Sequence, residues 1–567
     1  MNYIDWTVLF VTQLVIVLYG VWRSRRNTDT GDYYKSSGMG WLTVGISIMA
    51  TQASAITFLS APGQAFSDGM RFVQFYLGLP IAMLILCETA VPLFKRLNVY
   101  TAYEYLENRF DVKVRVLAAL LFLMHRGLAA GFTIFAPSIV LSAVLGWDIV
   151  WCNIINGTVV ILYTVLGGTK AVAETQKIQM AVIMGGMFFA AYLMLSMLPE
   201  GIGMGESLRI AGKAGKMNVL VTDFSWNDKY NVWSGLIGGG FLALSYFGTD
   251  QSQVSRYISG ASLKQSRMGL LFNGVFKIPM QFSILLIGII LYVFFLFNPA
   301  PLFFNPKSEQ KAVSVLSPAE LQHYRSGFDE AQALRKVSAT ELSDAFRTGD
   351  ESGIEAASAR FNADNRRVEA SKKELQEAIL ARDGTADLNE TNYVFFHFVN
   401  AFLPVGMLGL IISVIFSASM SSTSSELNAL SSSTSIDIYK RLFRPEASER
   451  HYLRMSRLFT LLWGVYAVIF ACFANRLGSL IEAVNIIGSL VYGTILGIFL
   501  SGFYLKRVGA LPVLSAGLIV QAGILVLYFF TGVPFLWYNV IGGLAVPLLA
   551  LALQSGRPQQ PGPATAR

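Results

Sequence analysis

Runs of about twenty mostly apolar residues, each long enough to cross a bilayer, recur along this chain. Thirteen are predicted, centred near Leu14, Met49, Leu84, Ala130, Ile161, Gly186, Gly239, Leu285, Ile412, Trp463, Val491, Ala522 and Ala545. Composition agrees. Apolar residues make up 53% of the 567 and charged residues only 14%, against about a quarter charged in soluble domains. The net charge of +8 reads as Lys and Arg in cytoplasmic loops, not as a nucleic-acid surface, and no nucleic-acid partner is expected. Cys87, Cys152 and Cys472 all lie in apolar runs, with neither metal-ligand spacing nor a disulfide framework. The apolar stretch Tyr3 to Val21 has no basic region before it and no small-residue cleavage site, so it reads as a retained span.

Basic residues orient the chain. Arg23, Arg25 and Arg26 follow span 1, and Lys95, Arg96, Arg109, Lys113 and Arg115 lie between spans 3 and 4. Arg256, Lys264 and Arg267 follow span 7, Lys440 to Arg457 carries six more between spans 9 and 10, and Lys506 and Arg507 follow span 11. All share one side if the N-terminus is outside and the C-terminus cytoplasmic. A multi-pass protein of the cell inner (plasma) membrane is expected. The segment from Pro301 to Glu390 is polar and would be an extracytoplasmic helical hairpin, with helices near Pro318–Val337 and Ala357–Leu380.

Polar groups inside spans carry the chemistry, because hydrocarbon tolerates them only when paired or facing a cavity. Span 9 reads Ser417-Ala-Ser-Met-Ser-Ser-Thr-Ser-Ser-Glu-Leu-Asn428, with hydroxyls at helical spacings of three and four. So many hydroxyls make a low-charge oxygen cage for a hard cation, which prefers oxygen ligands. Span 2 supplies a second cluster, Thr51, Gln52, Ser54 and Thr57, before Pro62-Gly63. Such spans are often discontinuous, with freed carbonyls binding the ion; a kinked, continuous helix is the other reading.

The resemblance to the sodium:solute symporter family lies in Ala50–Phe58, Thr101–Asp111, Tyr163–Gly168, Gly248–Tyr257, the span 9 serines through Asp437–Arg441, and Tyr504–Arg507. Their order and spacing match everything except the large exterior loop and the C-terminal tail. The resemblance implies an all-α membrane protein with a LeuT-type core of five plus five inverted-repeat helices, here spans 2 to 6 and 7 to 11. It implies a preceding helix over 1–24, core helices 1–7 over 38–300, core helices 8–10 over 391–507 and two further helices over 508–555, while polar composition marks an insertion over 301–390 and Pro- and Gln-rich composition a disordered tail over 556–567. It implies secondary active, sodium-coupled uptake of a small organic solute by alternating access, with Na+, the solute and the lipid bilayer as partners, and no enzyme activity.

By motif match, the family's sodium ligands fall on Ala50, Ala53, Ala418, Ser421 and Ser422. Some relatives place an Asp at the position of Gln176 and use it in a second sodium site; a neutral Gln implies one coupled sodium. Glu174 points about 200° round the helix from Gln176 and is a poor substitute. The family's solute pocket implies Ser54, Thr57, Gln74, Tyr76 and Arg126 as solute contacts and Tyr246 as an inner gate. Arg126, about mid-bilayer, suits a carboxylate in bidentate geometry. Were it to hold one, the solute would be an organic acid such as sialic acid. Were it to pair with Glu88 or helix ends, a neutral sugar or polyol fits equally. Asp250 is expected to pair with Arg256. A membrane sensor without transport is the reading from another class.

Overall fold

The computed structural model describes residues 2–24, 38–226, 228–384, 386, 388–474 and 479–555. Predicted features at Arg25, Arg26 and the tail from 556 lie outside them. Within lipid a helix satisfies every backbone donor and acceptor internally. Accordingly, the only β pairing among the described residues is an isolated bridge between Met39 and Gly260. We label the principal helices in chain order: α1 (Tyr3–Ser24), α2 (Trp41–Gln52), α3 (Ala55–Asp68), α4 (Leu79–Glu88), α5 (Val112–Leu145), α6 (Ile149–Ser196), α7 (Gly239–Thr249), α8 (Gln251–Ile258), α9 (Leu263–Phe297), α10 (Pro318–Thr348), α11 (Glu351–Arg382), α12 (Met407–Ser433), α13 (Glu449–Phe473), α14 (Leu480–Tyr504), α15 (Ala510–Phe530) and α16 (Leu536–Ser555).

Each of the thirteen predicted centres falls on one of these helices. Nine helical stretches among the described residues are individually long and apolar enough to span a membrane, and two shorter apolar ones accompany them. The remaining two spans escape that test because they are broken. One is α2/α3, interrupted at Ala53 and Ser54; the other is α7/α8, interrupted at Asp250, whose backbone is extended (φ −78°, ψ 119°). They stand as the first helices of the two predicted five-helix repeats, where an inverted repeat puts them.

Spans 5 and 6 share one continuous helix, α6, over 48 residues. A straight rod would hold residues 163 and 175 about 18 Å apart. The Tyr163 hydroxyl nevertheless meets Thr175 Oγ1, so α6 is not a straight rod, and Ile149–Val165 and Val172–Ser196 count as two separate apolar stretches.

Helix α1 is strapped to α12 by polar contacts. Asp5 accepts from the Gly406 and Gly409 amides (2.7 and 3.1 Å), satisfying donors at the start of α12. Gln13 Nε2 donates to the Ser413 carbonyl and hydroxyl and to Ser417 Oγ. Outside the bundle, α10 and α11 form the expected hairpin. Ser317 and Glu320 make a reciprocal capping box at its start, and Gly349 turns the chain with φ 74°. Phe328, Val368, Leu375 and Ile379 give the hairpin a small core of its own.

Candidate functional site

The break in the first core helix decides the cation site. In a continuous helix the Ser54 amide would bond Ala50 O and the Thr57 amide would bond Ala53 O. Instead Ser54 N donates to Gln52 O at 2.9 Å and Thr57 N to Ser54 O at 2.9 Å. Both alanine carbonyls are thereby freed from the ladder. Ala50 O accepts from Ser421 Oγ of α12 at 3.1 Å, which sets the two predicted clusters face to face. At the next residue of α12, Ser422 Oγ donates to the Ala418 carbonyl one turn earlier at 3.0 Å. All five predicted ligands are buried. The donor set is neutral oxygen throughout, and no group of three acidic, His or Cys side chains suited to a metal exists among the described residues. Neutral oxygens in a dry site suit a monovalent hard cation, whose single charge needs no carboxylate.

Beside this cage lies Gln176 of α6. Its Oε1 accepts from Ser47 Oγ (2.6 Å), and its Nε2 donates to Thr51 Oγ1, Ser421 O and Ser425 Oγ (3.3, 3.3 and 3.1 Å). The amide's N–H groups thus point at oxygens that a cation would otherwise face. Glu174 turns away and pairs with Lys177 at 3.0 Å.

A cavity opens next to the break. Ser54, Thr57, Tyr76, Arg126 and Tyr246 line it. Gln74 does not. It is fully buried, donates to Tyr230 O (3.0 Å) and accepts from Val221 N (2.9 Å), so it ties the loop holding Val221 and Tyr230 to the segment Gly69–Tyr76. Its amide needs more partners than a cavity wall offers, and that loop supplies them.

Arg126 is engaged by protein. Its guanidinium donates to Glu426 Oε1 (3.0 Å), to the Tyr492 hydroxyl (2.5 Å) and from Nε to Asp250 Oδ2 (3.1 Å), with a second contact from NH2 to the same oxygen. Tyr492 also donates to Asp250 (2.8 Å), and Thr133 donates to Glu426 (3.0 Å). Neither expected charge pair forms. Glu88 binds Arg267 at 3.0 Å, and Asp250 turns inward at the helix break toward Arg126. Arg256, one helical turn and a half on, is buried with no hydrogen-bond partner at its guanidinium among the described residues.

Lys277 of α9 completes the cavity. It is buried and has no hydrogen bond or ion pair among the described residues; its nearest recorded contact is the Tyr76 ring, 6.0 Å from Nζ. Sequence reasoning gave it no role, although a Lys within a span is itself a signal of function. Tyr246 lies 5.7 Å from the Tyr492 ring at a tilt of 51°, sits under the Arg126 guanidinium and accepts from Gln253 Nε2 (2.8 Å), so this edge of the cavity is aromatic.

Comparison with known proteins agrees with this geometry. The model of the sodium:solute symporter family matches residues 33–317 and 377–520. The sodium/sialic acid symporter SiaT of Proteus mirabilis (strain HI4320) is 26% identical over 96% of this chain and 93% of its own length. The sodium-dependent multivitamin transporter of Oryctolagus cuniculus is 27% identical over 91% of this chain and 69% of its own. The solved structure of a substrate-bound, outward-open Na+-coupled sialic acid symporter superposes with a TM-score of 0.76 at 23% identity, covering 98% of this chain and 99% of that one. The architecture is therefore the LeuT-type one.

Proposed function

This chain belongs to the sodium:solute symporter family, and on that premise we propose that the solute it carries with sodium is a small organic acid of the sialic acid kind. The chain is a multi-pass membrane transporter that couples solute uptake to Na+. One observation carries the proposal: Lys277 is buried on the cavity wall with no acidic side chain within ion-pair distance among the described residues. An uncompensated charge at bilayer depth is costly, about 2.5–3.5 kcal/mol on insertion scales, so the cavity favours an anion. A solute carboxylate beside Lys277 supplies one. Arg126, held by Asp250 and Glu426, positions the cavity wall and offers the solute only its remaining edge.

Ala50, Ala53, Ala418, Ser421 and Ser422 bind one sodium ion in this reading. Gln176 fills the neighbouring oxygen cluster with an amide, which supports a stoichiometry of one. Sodium bridges the broken α2/α3 helix to α12 and favours the outward-open state. Solute enters over Ser54, Thr57 and Tyr76, and Tyr246 closes the inner side until the bundle rocks. Voltage alone supplies about 2.3 kcal/mol per charge per 100 mV. The N-terminus is outside and the C-terminus cytoplasmic. The six segments drawn from the sequence stand as the domain layout, and no chemical step on the solute is proposed.

Uptake of N-acetylneuraminate into proteoliposomes tests this. An inward sodium gradient is expected to drive accumulation that choline does not, and Lys277→Gln is expected to abolish it. Uptake undiminished in choline would remove the coupling. A neutral sugar accumulated in place of the acid would favour the sugar or polyol reading, in which Lys277 donates to hydroxyls.

A further inference from the structure

The family model matches residues on both sides of 318–376 but not those between, which are most of the α10/α11 hairpin. What the family does in common therefore leaves the hairpin unexplained. Beneath it lies a second cavity, between α10 and α11 on one side and the ends of α3 and α9 on the other.

Its walls have two characters. Phe66, Phe295 and Phe304 form an aromatic side, in edge contact with one another at centroid distances of 5.1–6.2 Å, and Phe66 also meets the Tyr292 ring edge-on at 5.8 Å. Lys216 and Arg335 form a cationic side about Tyr292. Lys216 Nζ lies 5.3 Å from the Tyr292 ring and donates to the Ser67 carbonyl at 2.6 Å. Arg335 shares an acceptor with the Tyr292 hydroxyl, Asn365 Oδ1, at 3.4 Å, while its Nε is buried without a partner.

Neither cation has an acidic side chain within ion-pair distance among the described residues. Of the two carboxylates on the wall, Glu390 is taken by Lys372 and the Phe304 amide, and Glu369 accepts from Asn365 Nδ2 at 3.2 Å. Three cations face two carboxylates, so the cavity has a net positive charge. Burial pushes both the Lys216 ammonium and the Arg335 guanidinium below their ordinary ranges, and the pull of Glu369 on each only partly offsets it.

We propose that this outer cavity is a second binding site, for small organic carboxylates whose apolar body lies against the Phe66–Phe304 wall while the carboxylate bridges Lys216 and Arg335. A bidentate Arg fork and a Lys point charge are complementary recognition groups for one carboxylate. The site stands apart from the central cavity and needs no sodium. It is joined to the transporter core, because the Lys216 carbonyl accepts from Met70 N at 2.8 Å, just past the end of α3. The Cβ that Gly69 lacks would lie 2.6 Å from that same carbonyl.

Calorimetric titration of the full-length purified protein in potassium buffer tests the site, with benzoate and N-acetylneuraminate as probes. Saturable binding of at least one probe is expected. Arg335→Gln and Lys216→Gln should each weaken it about tenfold, and Lys277→Gln in the central cavity should leave it unchanged. Monodispersity on size exclusion and an unchanged melting temperature show that each variant is folded. Absence of saturable binding by both probes, or binding that neither outer variant moves, would overturn the proposal. Binding lost in Lys277→Gln would assign it to the central cavity and equally overturn it. Failure of sodium-driven uptake bears on the central site alone, since this readout contains no sodium.

Discussion

At the scale of residues, the proposed sodium cage was legible because it is a local polarity anomaly. Hydroxyls at spacings of three and four in an apolar span mark a face, and the break at Ala53 and Ser54 frees the carbonyls opposite. Ser421→Ala or Ser422→Ala removes one oxygen ligand, and the half-saturating sodium concentration for uptake is expected to rise about tenfold, with little change in maximal rate. Gln176→Asp replaces an amide that satisfies Thr51 and Ser425 with a carboxylate that attracts a cation. The sodium dependence of uptake should then steepen from a Hill coefficient near one toward two; an unchanged slope would remove Gln176 from the stoichiometry argument. Arg126 was harder. Its depth was evident, but its partners Asp250 and Glu426 lie 124 and 300 positions away in sequence, and no local pattern pairs them.

At the scale of elements, the breaks matter more than the helices. Propensity and hydropathy located all thirteen spans, yet span 2 could be read as kinked or broken, and only the hydrogen-bond pattern across Gln52 to Thr57 shows the break. Close helix approach is a second feature of this scale. A Cβ added to Gly288 of α9 would lie 2.1 Å from the Pro62 carbonyl in α3, and one added to Gly63 would lie 1.8 Å from Thr391 O. Backbone is the obstacle in both cases, so the neighbouring helix or loop must shift. Gly288→Ala is expected to destabilise by about 1–3 kcal/mol, read as a lower melting temperature of the detergent-purified protein. Because α3 is half of the broken helix, a weaker apparent sodium affinity should accompany it.

At the scale of the whole molecule, the topology has a direct check. The short loops carrying Lys and Arg should face the cytoplasm and the α10/α11 hairpin the exterior. Ser326→Cys, on the exposed surface of the hairpin, should react with a membrane-impermeant maleimide in intact cells. Glu446→Cys, in the exposed turn before α13, should react only after permeabilisation. The native Cys87 and Cys152 are buried and Cys472 is half-buried, so background labelling should be low. The reverse pattern would invert the orientation and turn the outer cavity to the cytoplasm.

The sequence alone determined that the chain is a many-span helical membrane protein, where its spans lie, and which hydroxyls could hold a cation. Those properties follow from hydropathy and spacing, which act over one or two helical turns. Tertiary structure decided which charges meet. Arg126 went to Asp250 and Glu426, Gln74 left the cavity for the loop holding Val221 and Tyr230, and Lys277 was left as the cavity's cation. Pairing in a low-dielectric interior depends on distances of a few ångströms between helices far apart in sequence. Only the packed bundle sets those distances.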